Sequence, residues 1–243
     1  LKPLAFACAV AAIPGLAAAQ APQDIVTVEA LSDLVERGLS ATDGRAAARA
    51  RIGGEVARGL RLDASAATLR GARRNGGADA NVDLAASYRL SRGAAAFDAG
   101  LVARFYPGAA GGFDYVEAFG GVSTLIGPAE IGLSASYAPD QAAIGGDNLY
   151  LRARARAALI GTPISLTGHV GRSSGDADDP AQSARLRPTG NYRDWSIGAE
   201  YARGPITLAL AYTDTDIRRG HAVLPGAARH SGARLAASIG ATF

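Results

Sequence analysis

The segment Asn148-Leu149-Tyr150-Leu151-Arg152-Ala153-Arg154-Ala155-Arg156-Ala157-Ala158-Leu159 decides the fold. Leu149, Leu151, Ala153, Ala155, Ala157 and Leu159 alternate with Tyr150, Arg152, Arg154, Arg156 and Ala158. Successive side chains of a strand point to opposite faces, so one face here is wholly apolar and the other carries three guanidinium groups in a row. A helix would scatter the same charges around its circumference. The segment is therefore a strand with one face for an apolar medium and one for a polar medium.

Working outward, the same period of two recurs. Val82, Leu84, Ala86, Tyr88 and Leu90 face away from Asn81, Asp83, Ser87 and Arg89, and Ile131, Leu133, Ala135 and Tyr137 away from Glu130, Ser134 and Ser136. Ile164, Leu166, Gly168 and Val170 repeat it, as do Trp195, Ile197, Ala199 and Tyr201. Nearer the start, Ala46, Ala48, Ala50 and Ile52 alternate with Arg45, Arg49 and Arg51. The pattern predicts about twelve strands, at 25–37, 45–54, 59–69, 80–90, 95–106, 114–125, 128–138, 148–159, 163–171, 192–202, 205–215 and 231–243. Their typical length suits a tilted transmembrane strand of about 9 to 11 residues. Brief turns at 91–94, 126–127, 160–162 and 203–204 alternate with longer linkers at 70–79, 107–113, 139–147, 172–191 and 216–230. Sorting of this kind belongs to a membrane barrel, with tight turns on one rim and large loops on the other. In lipid every backbone group must be paired, so the sheet has to close. The expectation is an all-β chain: a closed antiparallel transmembrane β-barrel of about 12 strands. Tyr88, Tyr106, Tyr137, Trp195, Tyr201 and Tyr212, near strand ends, are candidates for interfacial girdles.

Composition removes the alternatives. The chain has 243 residues, 48% of them hydrophobic, 19% charged, with 31 glycines. Its mean hydropathy is +0.08. That is too apolar for disorder, yet no apolar run reaches the roughly 18 to 20 residues of a spanning helix. The net charge of +3 comes from arginines dispersed among acids, which argues against nucleic acid as a partner. No metal-ligand spacing, phosphate loop or dinucleotide fingerprint is present, so no cofactor and no metal are expected.

Both ends carry address signals. Lys2, the apolar stretch 4–16 and Ala17-Ala18-Ala19 have the layout of a secretory signal peptide. Cleavage is expected between Ala19 and Gln20, giving a signal peptide at 1–19 and a barrel at 20–243. The only lysine, Lys2, and the only cysteine, Cys8, would leave with it. At the other end Ala233, Leu235, Ala237, Ile239, Ala241 and Phe243 alternate with Arg234, Ser238 and Thr242. A last strand ending in Phe243 is expected to be the outer-membrane insertion signal, with barrel-insertion machinery and outer-membrane lipid as partners.

Three blocks resemble the TorF family of porin-like, exported barrel proteins. They are Ser32-Asp33-Leu34-Val35-Glu36-Arg37-Gly38-Leu39-Ser40, then Arg104-Phe105-Tyr106-Pro107-Gly108 with Phe113-Asp114-Tyr115-Val116-Glu117, then Tyr192-Arg193-Asp194-Trp195-Ser196-Ile197-Gly198 leading into 208–216. At 34–36 the sequence lacks the aromatic and basic residues expected before Arg37-Gly38. The resemblance implies a pore-like barrel in the bacterial outer membrane and brings no catalytic residues.

The polar alternates define the expected lumen. Arg49, Arg51, Arg104, Arg152, Arg154, Arg156, Glu117, Asp194 and Glu200 are the candidate pore-lining residues, and Arg45, Arg61, Arg89 and Arg234 are also assigned inward. The reading is passive diffusion of small solutes, favouring anions through the lumen arginines, with a non-conducting structural or ligand-binding barrel as alternative. Asp176, Asp178 and Asp179, in the longest loop, are candidates for binding a partner or cation. An outer-membrane hydrolase would need a nucleophile beside a base. His169 with Ser165 or Thr167 is the one arrangement that fits it, and no enzyme activity is expected.

Overall fold

The computed structural model describes residues 25–218, 220 and 228–243. The expected signal peptide at 1–19 and its cleavage site, Ala19 and Gln20, lie outside them. In chain order the strands are β1 (Ile25–Leu31), β2 (Val35–Glu36), β3 (Leu39–Ser40), β4 (Ala47–Ala57), β5 (Leu60–Thr68), β6 (Ala80–Arg92) and β7 (Ala95–Phe105). They continue as β8 (Tyr115–Ile126), β9 (Ala129–Gln141), β10 (Gly146–Ala158), β11 (Ile164–Ser174), β12 (Tyr192–Arg203), β13 (Ile206–Thr215) and β14 (Arg234–Thr242). All but β2 and β3 form one closed barrel of antiparallel neighbours. The seam is β1 against β14, with Thr27 opposite Thr242. Phe243 extends it by exchanging backbone hydrogen bonds with Val26 at 2.8 and 3.1 Å.

The barrel is inside out relative to a soluble domain. Leu101, Leu133, Ile197 and Leu235 are each 58–67% exposed on the outer wall. A wall so apolar requires lipid, because in water it would exceed any ordinary exposed patch. Tyr137, Trp195 and Tyr212 lie on it toward the long-loop end, and Tyr88 and Tyr201 toward the other. Tyr106 departs from the expected girdle. It follows the last residue of β7, turns inward, and is buried against Tyr115.

Turns 58–59, 93–94, 127–128, 159–163 and 204–205 occupy one rim. Connections 32–46, 69–79, 106–114, 142–145 and 175–191, with the described residues of 216–233, occupy the other. The linker expected at 139–147 is mostly strand, since β9 and β10 run on until a single tight turn at Ala142–Ile144 joins them. The strand expected over 25–37 ends at Leu31. Beyond it the chain folds into the barrel mouth as a hairpin, β2 against β3. Arg37 and Gly38 supply its turn with φ of 51° and 74°, the doubly positive pair that a two-residue hairpin turn requires. Asp33 fixes its base by accepting hydrogen bonds from Ser40 Oγ at 2.5 Å and Thr42 Oγ1 at 2.8 Å.

The two buried apolar clusters among the described residues sit at this mouth. Leu34, Leu69, Tyr106, Tyr115, Ile144 and Leu186 are buried together, and Leu39, Tyr192 and Ile217 form a second group. Below them the interior is lined mainly by charged and small residues, with Val102 and Phe119 among them.

Candidate functional site

Alternation places the expected residues in the lumen and the register pairs them. Arg49 opposes Glu29 across β4 and β1, and its Nε donates to the carboxylate at 2.7 Å, with Arg51 at 3.6 Å. Arg154 reaches Glu130 and Arg156 reaches Glu200 across β11, both at 2.8 Å. Most lumen arginines are thus neutralised by their neighbours. Of the six candidate pore-lining arginines Arg152 is the exception: among the described residues it forms no ion pair, and its Nη2 donates to His169 Nδ1 at 3.2 Å. Arg45 departs from the expected inward strand position. It precedes β4 in the loop and half-exposes its side chain at the mouth.

Glu117 is the centre of the site. Its side chain is 1% exposed. It accepts from Arg37 Nη2 at 2.6 and 2.8 Å and from Arg104 Nε at 3.1 Å, and Arg104 Nη1 reaches on to Asp83 at 2.9 Å. A carboxylate so far from water is tolerable only with such partners. Burial alone would lower the Arg37 pKa, but the Glu117 carboxylate raises it above the ordinary guanidinium value, so the group stays charged. Arg37 also lies 4.8 Å over the Tyr150 ring, and the Tyr192 hydroxyl donates to its carbonyl at 2.8 Å. The hairpin tip is therefore pinned to β8, β10 and β12 at once. Gly38 is needed there for space as well as φ, because a Cβ would lie 2.6 Å from Thr215 Cγ2 and 2.7 Å from Asp194 Cβ.

Asp194 and His169 form a neighbouring network. His169 Nε2 lies 2.8 Å from Asp194 Oδ2, which also accepts from the Tyr150 hydroxyl at 3.1 Å. Ser196, directly across the sheet from His169, places Oγ 2.6 Å from Nδ1. Since Arg152 can only donate, Nδ1 is the acceptor and the ring proton sits on Nε2 toward Asp194. The partner of His169 is thus Ser196, where the sequence had suggested Ser165 or Thr167. The guanidinium occupies the same lone pair that a hydroxyl proton would have to use. That geometry orients Arg152 better than it activates a nucleophile.

The second half of the longest loop turns inward. Arg185, 4% exposed, lies 4.1 Å over the Tyr106 ring, 4.7 Å over Phe113 and 5.2 Å over Tyr115. Its Nη1 donates to the Phe113 carbonyl at 2.6 Å. Burial lowers its pKa from the ordinary guanidinium value, and burial with the adjacent Tyr115 holds the Tyr106 phenol well up, so Tyr106 stays neutral. Arg187 donates to the carbonyls of Gly175, Asp147 and Asp176. Two of the loop aspartates serve local structure: Asp179 caps the short helix Pro180–Ser183 through the N–H groups of Ala181 and Gln182, and the Asp176 N–H donates to Asp147. Among the described residues no group of three or more histidine, cysteine, aspartate or glutamate side chains could hold a metal ion.

Three cavities follow the barrel interior. The mouth holds one of about 670 Å³, lined by Arg45, Arg73, Arg74, Arg185 and Arg229 with Asp43. Below the hairpin, a second of about 500 Å³ is lined by Arg37, Arg49, Arg74, Arg104, Arg152 and His169, with Asp33 and Glu36 its only lining acids among the described residues. The third, also about 500 Å³, meets Arg51, Arg61 and Arg104 together with Asp63, Asp83, Asp98 and Glu117. Arg74 lines the first and second, Arg104 the second and third. Arg74 forms part of the partition, its Nε donating to the Arg185 carbonyl at 2.7 Å.

A closed twelve-strand barrel with an apolar wall and a charged, partly filled interior defines the porin-like class. The chain belongs to the Gcw_chp family, bacterial proteins of unknown function, whose model matches residues 17–243. Among solved structures it is similar to the KdgM porin, at 7% identity over 90% of this chain and 98% of that one, with a TM-score of 0.57. It is also similar to an outer membrane channel from Pseudomonas putida F1, at 11% identity over 93% and 97% of the two chains, with a TM-score of 0.55. At these identities the likeness is one of fold. No curated protein matches the chain.

Proposed function

We propose that this protein is an outer-membrane porin through which small anions diffuse passively. The observation that carries the reading is the middle cavity, where Arg37, Arg49 and Arg104 are paired with Glu117 and Glu29 while Arg74 and Arg152 line the space with no carboxylate partner among the described residues. A low-dielectric wall focuses that excess positive charge along the axis, which concentrates anions and repels cations. The fold of the KdgM porin and of the Pseudomonas channel supports the transport class.

On this reading residues 1–19 direct export and are removed between Ala19 and Gln20, and Phe243 at the seam is what the insertion machinery recognises. The long-loop rim faces outward and the short-turn rim the periplasm. The inserted hairpin narrows the path, so solutes must pass beside it or displace it. Recording from the protein in planar bilayers tests the proposal: discrete conductance steps are expected, and Arg152→Glu should weaken the preference for chloride. An absence of conductance would overturn it.

A further inference from the structure

We propose that the cavity at the long-loop mouth is a binding site for small anions carrying more than one carboxylate or phosphate group, occupied before such a solute enters the lumen. The inference deepens the anion-porin reading and rests on it for the direction of passage, although the site itself stands on separate residues. Its basic side chains come from four different connections: Arg45 from 32–46, Arg73 and Arg74 from 69–79, Arg185 from 175–191 and Arg229 from 216–233. Asp43 is the one carboxylate lining it among the described residues. That carboxylate is committed locally, accepting from the Arg73 backbone N–H at 3.3 Å and lying 3.9 Å from Arg45.

Like charges gathered from four loops repel one another and cost stability unless a counter-charge fills the space between them. In the lumen that counter-charge is supplied by the wall, as Glu29, Glu130 and Glu200 do. At the mouth the wall supplies almost none. Guanidinium forks suit carboxylate and phosphate oxygens and can bind them in pairs. A cavity of about 670 Å³ lies in the range of small-molecule sites, about 300 to 1,000 Å³. Leu39 and Phe113 give it an apolar flank for the body of the solute. Arg74, which lines the middle cavity too, provides the cationic step from one chamber to the next.

Citrate and pyrophosphate are suitable probes, with sucrose as the neutral control. Calorimetry on the detergent-solubilised protein should show saturable binding of at least one of the two anions and none of sucrose. The triple variant R45Q/R73Q/R229Q, its folding checked by heat-modifiable electrophoretic mobility, should bind at least about tenfold more weakly, as expected for lost charge-assisted contacts. In bilayers the same probe should block the current when added from the long-loop side and more weakly from the other. Equal affinity in wild type and a folded variant, or binding of neither anion, overturns the site. If the triple variant fails to fold, Arg73→Gln and Arg229→Gln alone carry the test, each expected to weaken binding. Chloride preference without probe binding would leave the porin reading standing and refute the site, whereas probe binding in a barrel without conductance would do the reverse.

Discussion

Glu117 holds the inserted hairpin through a single carboxylate shared by two guanidinium groups. Removing one member of a buried ionic cluster leaves the others without compensation and costs about 3–5 kcal/mol. Glu117→Ala should therefore destabilise the folded mouth by an amount of that order, measured by denaturant unfolding in detergent, and should enlarge or destabilise the single-channel current as the hairpin loosens. An unchanged stability and current would show that the pairing does not hold the hairpin. Gly38→Val tests the same contact by sterics, since the tip cannot seat against Thr215 and Asp194 with a branched side chain there; larger conductance is the expected readout. At this scale alternation was a good guide to facing. It identified Arg104, Glu117 and Asp194 as inward because each sits in a regular strand. It could not pair Glu117 with Arg37, 80 positions away, because the pattern of the sequence runs the first strand on to Arg37. The inward role of Glu29 was likewise missed, its strand being too short for a clear period.

The hairpin β2–β3 is the element that sets this barrel apart from an open tube. Three separate sequence blocks, 32–40, 104–117 and 192–216, converge on it: Arg37 and Gly38 form its tip, Arg104 and Glu117 anchor it, and Tyr192, Asp194 and Thr215 receive it. These stretches, distant along the chain, thus meet at one structural feature. Deletion of residues 34–41 should leave the barrel closed, since its wall pairs β1 directly with β4 and β14, and should raise single-channel conductance. A deletion variant with heat-resistant folding but unaltered conductance would show that the hairpin does not limit the path. The long loops were legible as loops and nothing more. Burial of Arg185 among three aromatic rings depends on tertiary folding-back, which leaves no periodic trace in the sequence. Pro139 and the glycines at 145 and 146 suggest a long linker over 139–147, yet β9 accommodates Pro139 and the tight turn needs only the glycines.

For the whole molecule, period two and the sorting of connections were sufficient to predict a closed barrel of twelve strands, since an apolar outer wall leaves no other way to pair the backbone. The excess of alanine and glycine fits the same design, the small residues letting paired arginines and acids fill the interior. Lipid contact predicts that Leu133→Arg, near the middle of β9 on the outer wall, costs about 2–4 kcal/mol in bilayers; reversible unfolding in vesicles measures it, and a neutral effect would contradict the lipid-facing assignment. Net charge is a poor guide at this scale, because most lumen arginines are cancelled in place and the excess lies in the upper chambers. The most direct test is therefore the zero-current potential of the reconstituted wild-type protein across a KCl gradient. A potential of the sign set by preferential chloride passage is expected; a potential of the opposite sign, from potassium passing more readily, would contradict the anion-porin reading.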